Sequence, residues 1–275
     1  MLSYQHGYHA GNLADVHKHA MLAWLIDRLA AKDKPFHMME THAGRGLYDL
    51  DSPEARRTGE AEAGIARVAD WFPPDDPYAR ALRATRARFG PQAYPGSPLI
   101  AALLARREDR LSLAELHPQE HAALTAALSP FGARIERRDG PAAALAWTPP
   151  EPRRGLLLVD PSWEVKADYE AIPALLEKVH RKWNVGLLML WYPLLPDARH
   201  APMLARLVAA FPGALRHEVA FPPARAGHGM CGSGLFLVNP PWQTEARAAW
   251  LSARFATLRD QPARSASRRP VSRPR

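Results

Sequence analysis

The sequence predicts an α/β fold built on a mostly parallel, doubly wound sheet with helices on both faces. Three observations predict it. Apolar strand-like runs alternate with helical segments along the chain; no repeat interrupts them; and four consecutive strands finish in acids, at the edge where open α/β sheets gather ligands. With 275 residues and 47% hydrophobic content, the chain can bury a full core as one large domain or as one domain with an insertion.

The elements follow in order. After the breaker Gly11-Asn12, the segment from Asp15 to Ala31 sets Val16, Met21, Leu22, Leu25, Ile26 and Leu29 at helical spacing, so a helix precedes the first strand. Strands are expected at Phe36–Glu40, Leu111–Glu115, Arg134–Asp139, Gly155–Asp160, Val185–Tyr192, Ala214–Phe221 and Gly234–Asn239. Gln119–Leu128 and Tyr169–Arg181 read as helices between them. Arg57–Phe89 is rich in Ala, Arg and Glu and separates the first two strands too widely for a simple crossover, so it reads as a helical insertion over the ligand edge. The expected division is a main domain over 1–52 and 96–260, an insertion over 53–95 and a basic tail over 261–275.

Composition excludes several classes. The single cysteine, Cys231, rules out an internal disulfide framework, and no apolar run reaches the length of a membrane helix. The first six residues lack a secretory layout, so the cytoplasm is the expected address and no membrane partner is expected. Of the net charge of +8, five positive charges (Arg264, Arg268, Arg269, Arg273 and Arg275) sit in the tail. That tail should stay unfolded, and either touches phosphate nonspecifically or is a solvated end.

The strand-end acids Glu40, Glu115, Asp139 and Asp160 would repel one another at one edge unless a cationic or hydroxyl-rich ligand sits there. Gly44 and Gly46, after the first strand, let backbone approach such a ligand. S-adenosyl-L-methionine, with a sulfonium, an amino group and a ribose diol, suits this set better than a dinucleotide, whose third glycine is replaced by Asp49. The fourth strand ends in Asp160-Pro161-Ser162-Trp163. The exocyclic amine of a base is a poor nucleophile because its lone pair is delocalised. A carboxylate and a carbonyl accepting its two protons relocalise that pair while an indole stacks on the base. The plainer reading of the same tetrad is a turn after a buried strand.

Blocks along the chain carry a resemblance: residues 4–12 (YQHGYHAGN), 14–19 (ADVHKH), 41–44 (THAG), 94–101 (YPGSPLIA), 115–118 (ELHP) and 239–242 (NPPW). In order and wording they resemble the RlmJ family of large-subunit ribosomal RNA adenine-N6 methyltransferases. The resemblance implies a Rossmann-like methyltransferase whose last strand is antiparallel, S-adenosyl-L-methionine as donor with S-adenosyl-L-homocysteine as product, and one adenine of 23S ribosomal RNA as acceptor. It places donor binding on His19, His42, Ser97, Glu115, Asp139, Gly140 and Asp160, alongside Gly44 and Gly46. Glu115 would accept from the ribose hydroxyls and Asp139 from the donor's adenine amine. Catalysis falls on Asp160, the Pro161 carbonyl and the Trp163 ring. Ser162 departs from the family's usual proline and loosens the turn. A second tetrad, Asn239-Pro240-Pro241-Trp242, fits the motif better as text, but the antiparallel last strand would put it at the opposite edge.

RNA contacts are expected from Tyr4, His6 and Lys18 on or before the first helix, through stacking and phosphate pairing. Arg45, Arg56 and Arg57 could extend that track. No histidine spacing repeats a metal pattern, so no metal is expected. Monomer is the default. Two rival functions share these features: a DNA adenine methyltransferase using the same tetrad, and a noncatalytic RNA-binding module in which Ser162 marks loss of activity.

Overall fold

A computed structural model describes residues 6–223 and 229–258. In chain order, α1 (Leu13–Ala30) precedes β1 (His37–Glu40) and β2 (Leu47–Asp49). Then come α2 (Pro53–Thr58), α3 (Glu60–Ala63), α4 (Ile65–Val68), α5 (Pro77–Phe89) and β3 (Ala93–Pro95). The chain continues through α6 (Ser97–Leu104), β4 (Arg110–Ala114), α7 (Pro118–Leu128), β5 (Arg134–Glu136), α8 (Gly140–Trp147), β6 (Gly155–Val159) and α9 (Asp168–Lys182). It ends with β7 (Leu187–Leu194), α10 (Ala201–Ala210), β8 (Leu215–Ala220), β9 (Gly232–Val238) and α11 (Thr244–Ala256).

The main sheet has seven strands in the order β5-β4-β1-β6-β7-β9-β8. Strands β5, β4, β1, β6 and β7 pair in parallel, while β9 runs antiparallel to both β7 and β8. Strand order turns at β1, with β4 and β5 on one side and β6 and β7 on the other, which opens a crevice beyond the carboxyl ends of these strands. The strands read as continuous apolar runs because helices cover both faces. Leu156 and Leu158 of β6 join a core shared with α1, α5, α6 and α11, whereas Leu157 and Val159 join a second core beneath α8, α9 and α10. This is the Rossmann-like arrangement that the resemblance implies, with its last strand antiparallel.

Helix α1 begins where the Asn12 side chain accepts from the Asp15 N–H at 2.8 Å. Sheet and α11 pack on one side of it and α5 and α6 on another, so even its polar residues Asp15, His17, Lys18 and His19 are buried. The expected third strand stops at Glu136 rather than Asp139, because Asp139 is the N-cap of α8, its Oδ1 accepting from Ala142 N at 2.9 Å.

Helices α2 to α5 lie between β2 and β3, which pair antiparallel and bring the two ends of this segment together. The sequence reading places no strand there, since three residues are too few to show alternation. The segment docks on the turn before α1. Ile65 N donates to Gly11 O at 2.8 Å, and Asn12 Nδ2 and His9 Nδ1 each lie 3.0 Å from the Glu60 carboxylate. A Cβ on Gly64 would fall 2.1 Å from Gly11 O, so this approach requires glycine. Among the described residues no helix is long and apolar enough to cross a membrane. The tail at 261–275 lies outside the described residues.

Candidate active site

Beyond the carboxyl ends of β1, β4, β5 and β6 lies a cavity of about 560 Å³. Each element supplies part of its wall. Lys18 and His19 come from α1, His42 and Gly44 from the turn after β1, and Ser97 from the start of α6. Glu115 follows β4, Asp139 and Gly140 open α8, and Asp160, Pro161 and Trp163 follow β6. His6 closes the wall from the N-terminal side. Two expected residues stand apart. Gly46 is not in the wall: its backbone, at φ +74°, backs onto Leu124 and Leu128 of α7. Tyr4 lies outside the described residues.

The strand-end acids differ in their surroundings. Both oxygens of Glu115 accept backbone N–H groups, Oε2 from Gly44 at 2.8 Å and Oε1 from His117 at 2.7 Å, which fixes the plane of the carboxylate. Gly44 has φ +63°, and a Cβ there would meet the Tyr48 hydroxyl at 2.7 Å. Glu40 lies beneath the wall with no exposed surface. Ser97 Oγ donates to its Oε1 at 2.5 Å, while Oε2 has no hydrogen-bond partner among the described residues. Burial, opposed by the Ser97 bond and reinforced by Asp160, pushes the Glu40 carboxyl well above its usual range. A protein that keeps this many acids around one void fits a ligand carrying positive charge and hydroxyls.

Lys18 is where the structure departs most from the sequence reading, which set it against phosphate. Its ammonium is buried, 2.6 Å from Asp160 Oδ2 and 3.2 Å from Asp15 Oδ1, because α1 is enclosed on several sides. Asp15 is the hub of this cluster. Its Oδ2 also accepts from Gly11 N at 3.0 Å and lies 2.8 Å from His6 Nε2. Burial alone would raise the Asp15 pKa, but His6, Lys18 and His19 together hold it well below the usual carboxylate range. The sequence reading missed Asp15, although an acid with a lysine three and a histidine four residues later on one helix is a readable signal.

His19 is a buried part of the wall with Nδ1 at 2.9 Å from the Tyr94 hydroxyl, and burial, against the pull of Asp15, lowers its pKa to about 3. Burial also lowers the pKa of His42, whose Nδ1 lies 2.7 Å from Thr41 Oγ1. Trp163 is only 4% exposed: its ring packs against Tyr169 at a 4.6 Å centroid distance, and its Nε1 donates to Trp191 O at 3.2 Å. Arg45, expected as an exposed cation, is instead gripped by both oxygens of Glu120, at 2.9 and 2.6 Å. Asn239 sits at the opposite edge of the sheet, its Nδ2 donating to Asn184 O and Gly186 O, which precede β7.

A family model described as "Ribosomal RNA large subunit methyltransferase D, RlmJ" matches residues 33–263. Two relatives named "Ribosomal RNA large subunit methyltransferase J" align over 89% of this chain and 89% of their own length. That of Escherichia coli K12 is 40% identical and that of Haemophilus influenzae 36%. The crystal structure of a Legionella pneumophila protein, LPL1258, matches with a TM-score of 0.81 at 32% identity, covering 91% of this chain and 94% of that one.

Proposed function

The chain belongs to the RlmJ family of large-subunit ribosomal RNA methyltransferases, and from that premise we propose that it methylates the N6 amine of one adenine in 23S ribosomal RNA with S-adenosyl-L-methionine as donor. The observation that carries this reading is the division of one cavity by Asp160: Glu115, Asp139 and the Gly44 turn lie toward β4 and β5, and β7 lies on the other side.

Bound in this cavity, the donor supplies an electrophilic methyl on a cationic sulfur and departs as neutral S-adenosyl-L-homocysteine. The oxygens of Glu115, oriented by two backbone N–H groups, keep lone pairs for the ribose hydroxyls. Asp139 uses one oxygen to cap α8, and the other is assigned to the donor's adenine amine. His42, Gly44 and Gly140 shape the wall around the methionine part, with Gly46 setting the turn from behind. Ser97 and His19 act from the wall, one through Glu40 and the other beside Tyr94.

On the acceptor side, an adenine unstacked from RNA presents its amine to Asp160 and the Pro161 carbonyl. Each accepts one N–H, which returns the nitrogen lone pair to the direction of the methyl. Once nitrogen carries the methyl, Asp160 takes the released proton. Lys18 holds that carboxylate in position, and Trp163 braces the turn. His6, at the rim, and Tyr4 are assigned to the RNA. The activity is assigned to a single copy of the chain, working where ribosomal RNA is made, in the cytoplasm.

The test is transfer of labelled methyl from S-adenosyl-L-methionine to 23S ribosomal RNA lacking the modification, with nucleoside analysis of the product. Wild type should yield N6-methyladenosine in RNA and none in duplex DNA, and Asp160→Ala should lose about 10²- to 10⁴-fold in rate. No incorporation by wild type would sink the proposal, and equal incorporation by the variant would remove Asp160 from its role.

A further inference from the structure

The cavity does not end at Asp160. It continues along β7, where Trp191 and Pro193, at alternate positions that share one face, line it together with Leu195, just past the strand, and Met230. Val159 of β6 pairs with Leu190 of β7, so Asp160 and Trp191 are the next residues on neighbouring parallel strands. Lys18 Nζ links them, 2.6 Å from the carboxylate and 5.5 Å from the centre of the Trp191 ring. Trp163, the ring the tetrad singles out, is nearly all buried against Tyr169, whereas Trp191 is only partly buried and faces the cavity.

Trp191 is also held by polar contacts that nothing in the mechanism above uses. Its Nε1 donates to Ser233 Oγ at 2.9 Å. Ser233 Oγ is 2.8 Å from His17 Nδ1, His17 Nε2 is 2.9 Å from His217 Nδ1, and His217 Nε2 is 2.8 Å from Ser252 Oγ. An indole N–H only donates, so Ser233 accepts there and turns its own hydrogen to His17. His17 then donates to His217, and His217 to Ser252, in one direction with every donor matched. This requires both imidazoles to be neutral, and burial lowers the proton affinity of each, His217 to about 4.

We infer that Trp191 is the plate on which the acceptor base stacks, and that the buried Ser233–His17–His217 relay is the positioning device that fixes its ring beside Asp160. The inference rests on the ribosomal RNA adenine reading above. It assigns Trp163 to the scaffold and the apolar β7 side of the cavity to the base.

Steady-state methyl transfer to unmodified 23S ribosomal RNA, with S-adenosyl-L-homocysteine binding measured by calorimetry, tests it. Trp191→Ala should cut kcat/KM for RNA roughly 10- to 100-fold, the range that base stacking on an aromatic ring supplies, with product affinity within about twofold of wild type. Trp191→Leu, which fills the space without a π-face, carries the same expectation should the alanine variant fail to fold. Trp191→Phe keeps a ring and should recover most of the loss. Ser233→Ala should lower kcat/KM in the wild-type background and not at all in the Trp191→Phe background, where the N–H it holds is gone. Full activity of Trp191→Leu on an RNA that wild type methylates overturns the plate. A Ser233→Ala loss of equal size in both backgrounds overturns the relay. A wild type that methylates no RNA overturns the acceptor reading, and this inference with it, whatever the variants do.

Discussion

Two carboxylates a few residues from the reaction centre, both fully buried, are shifted in opposite directions, and their partners explain why. Asp15 meets an ammonium, two imidazoles and a backbone N–H, so it stays a carboxylate despite burial. Among the described residues Glu40 has one hydroxyl donor and one oxygen without a partner, with Asp160 and Glu115 adding repulsion, so burial raises its pKa well above 4.5. A raised folded pKa means that Glu40 contributes stability below its unfolded value, and that this is lost as pH rises through the folded value. Glu40→Gln keeps the acceptor for Ser97 and removes the charge. It should therefore raise the thermal midpoint of the ligand-free protein relative to wild type, by more near pH 8 than near pH 5. A variant destabilised equally at both pH values would show that Glu40 matters only for packing.

At the scale of elements, the donor side of the cavity depends on how closely α8 abuts β1. A Cβ on Gly140 would lie 2.3 Å from Thr41 O, so Gly140→Ala must push the N-terminus of α8, and with it Asp139, away from the sheet. Overpacking of this kind costs about 1–3 kcal/mol, and it should also weaken S-adenosyl-L-homocysteine binding. Gly213→Ala, which meets nothing within 4 Å, serves as control and should stay within about 0.5 kcal/mol of wild type. Melting curves and calorimetry on both variants decide the matter. The same elements mark what local sequence can reveal. The central strands are legible because burial on both faces leaves unbroken apolar runs, and Asp160 is legible because it ends one of them. Strands β2 and β3 are not, being three residues each. The antiparallel sense of β9 came from family resemblance, since strand direction leaves no mark on composition. The buried state of His17, Lys18 and His19 comes from α5, α6 and α11 packing round α1, and periodicity within α1 cannot register distant neighbours. Trp163 was legible as a motif position, but its burial is made by Tyr169 and the Trp191 carbonyl.

Over the whole molecule, a buried ion pair joins the packing of Trp71 and Phe72 on Phe255 and Trp250 in tying the segment between β2 and β3 to α11. Arg247 of α11 donates to Asp76, the N-cap of α5, at 2.7 Å and to Ala20 O of α1 at 3.2 Å, with both charged partners under 10% exposed. Arg247→Ala leaves Asp76 buried without that cation and should cost about 3–5 kcal/mol, read from urea unfolding. Buried histidines set the pH response of the same unfolding reaction. His17, His19 and His217 all have folded pKa values below 6.5, His217 at about 4 and His19 at about 3, because burial penalises the imidazolium. Their neighbours do not reverse this: His17 faces Ser233, His217 and Phe255, while His19 faces Tyr94, Tyr78, Asp15, Lys18 and His6. The unfolded chain therefore takes up protons below pH 6.5 that the folded chain refuses, and stability falls as pH drops from 6.5 toward 4. Glu40 acts in the opposite sense from 4.5 upward and Asp168 from 3.8, but His37, His42 and His200 are lowered as well, so two acids stand against six histidines and the net slope follows the histidines. The Asp15 contribution is lost only below 3.8, outside this window. The urea midpoint should rise from about pH 5 to about pH 6.5, each histidine adding up to about 1.4 kcal/mol per pH unit, and then turn down where the Glu40 contribution alone continues. His217→Gln should flatten that rise by one histidine's share. A midpoint independent of pH across this range, or an undiminished slope in the variant, would show that these imidazoles carry protons inside the fold, and the one-directional relay to Trp191 could not then exist.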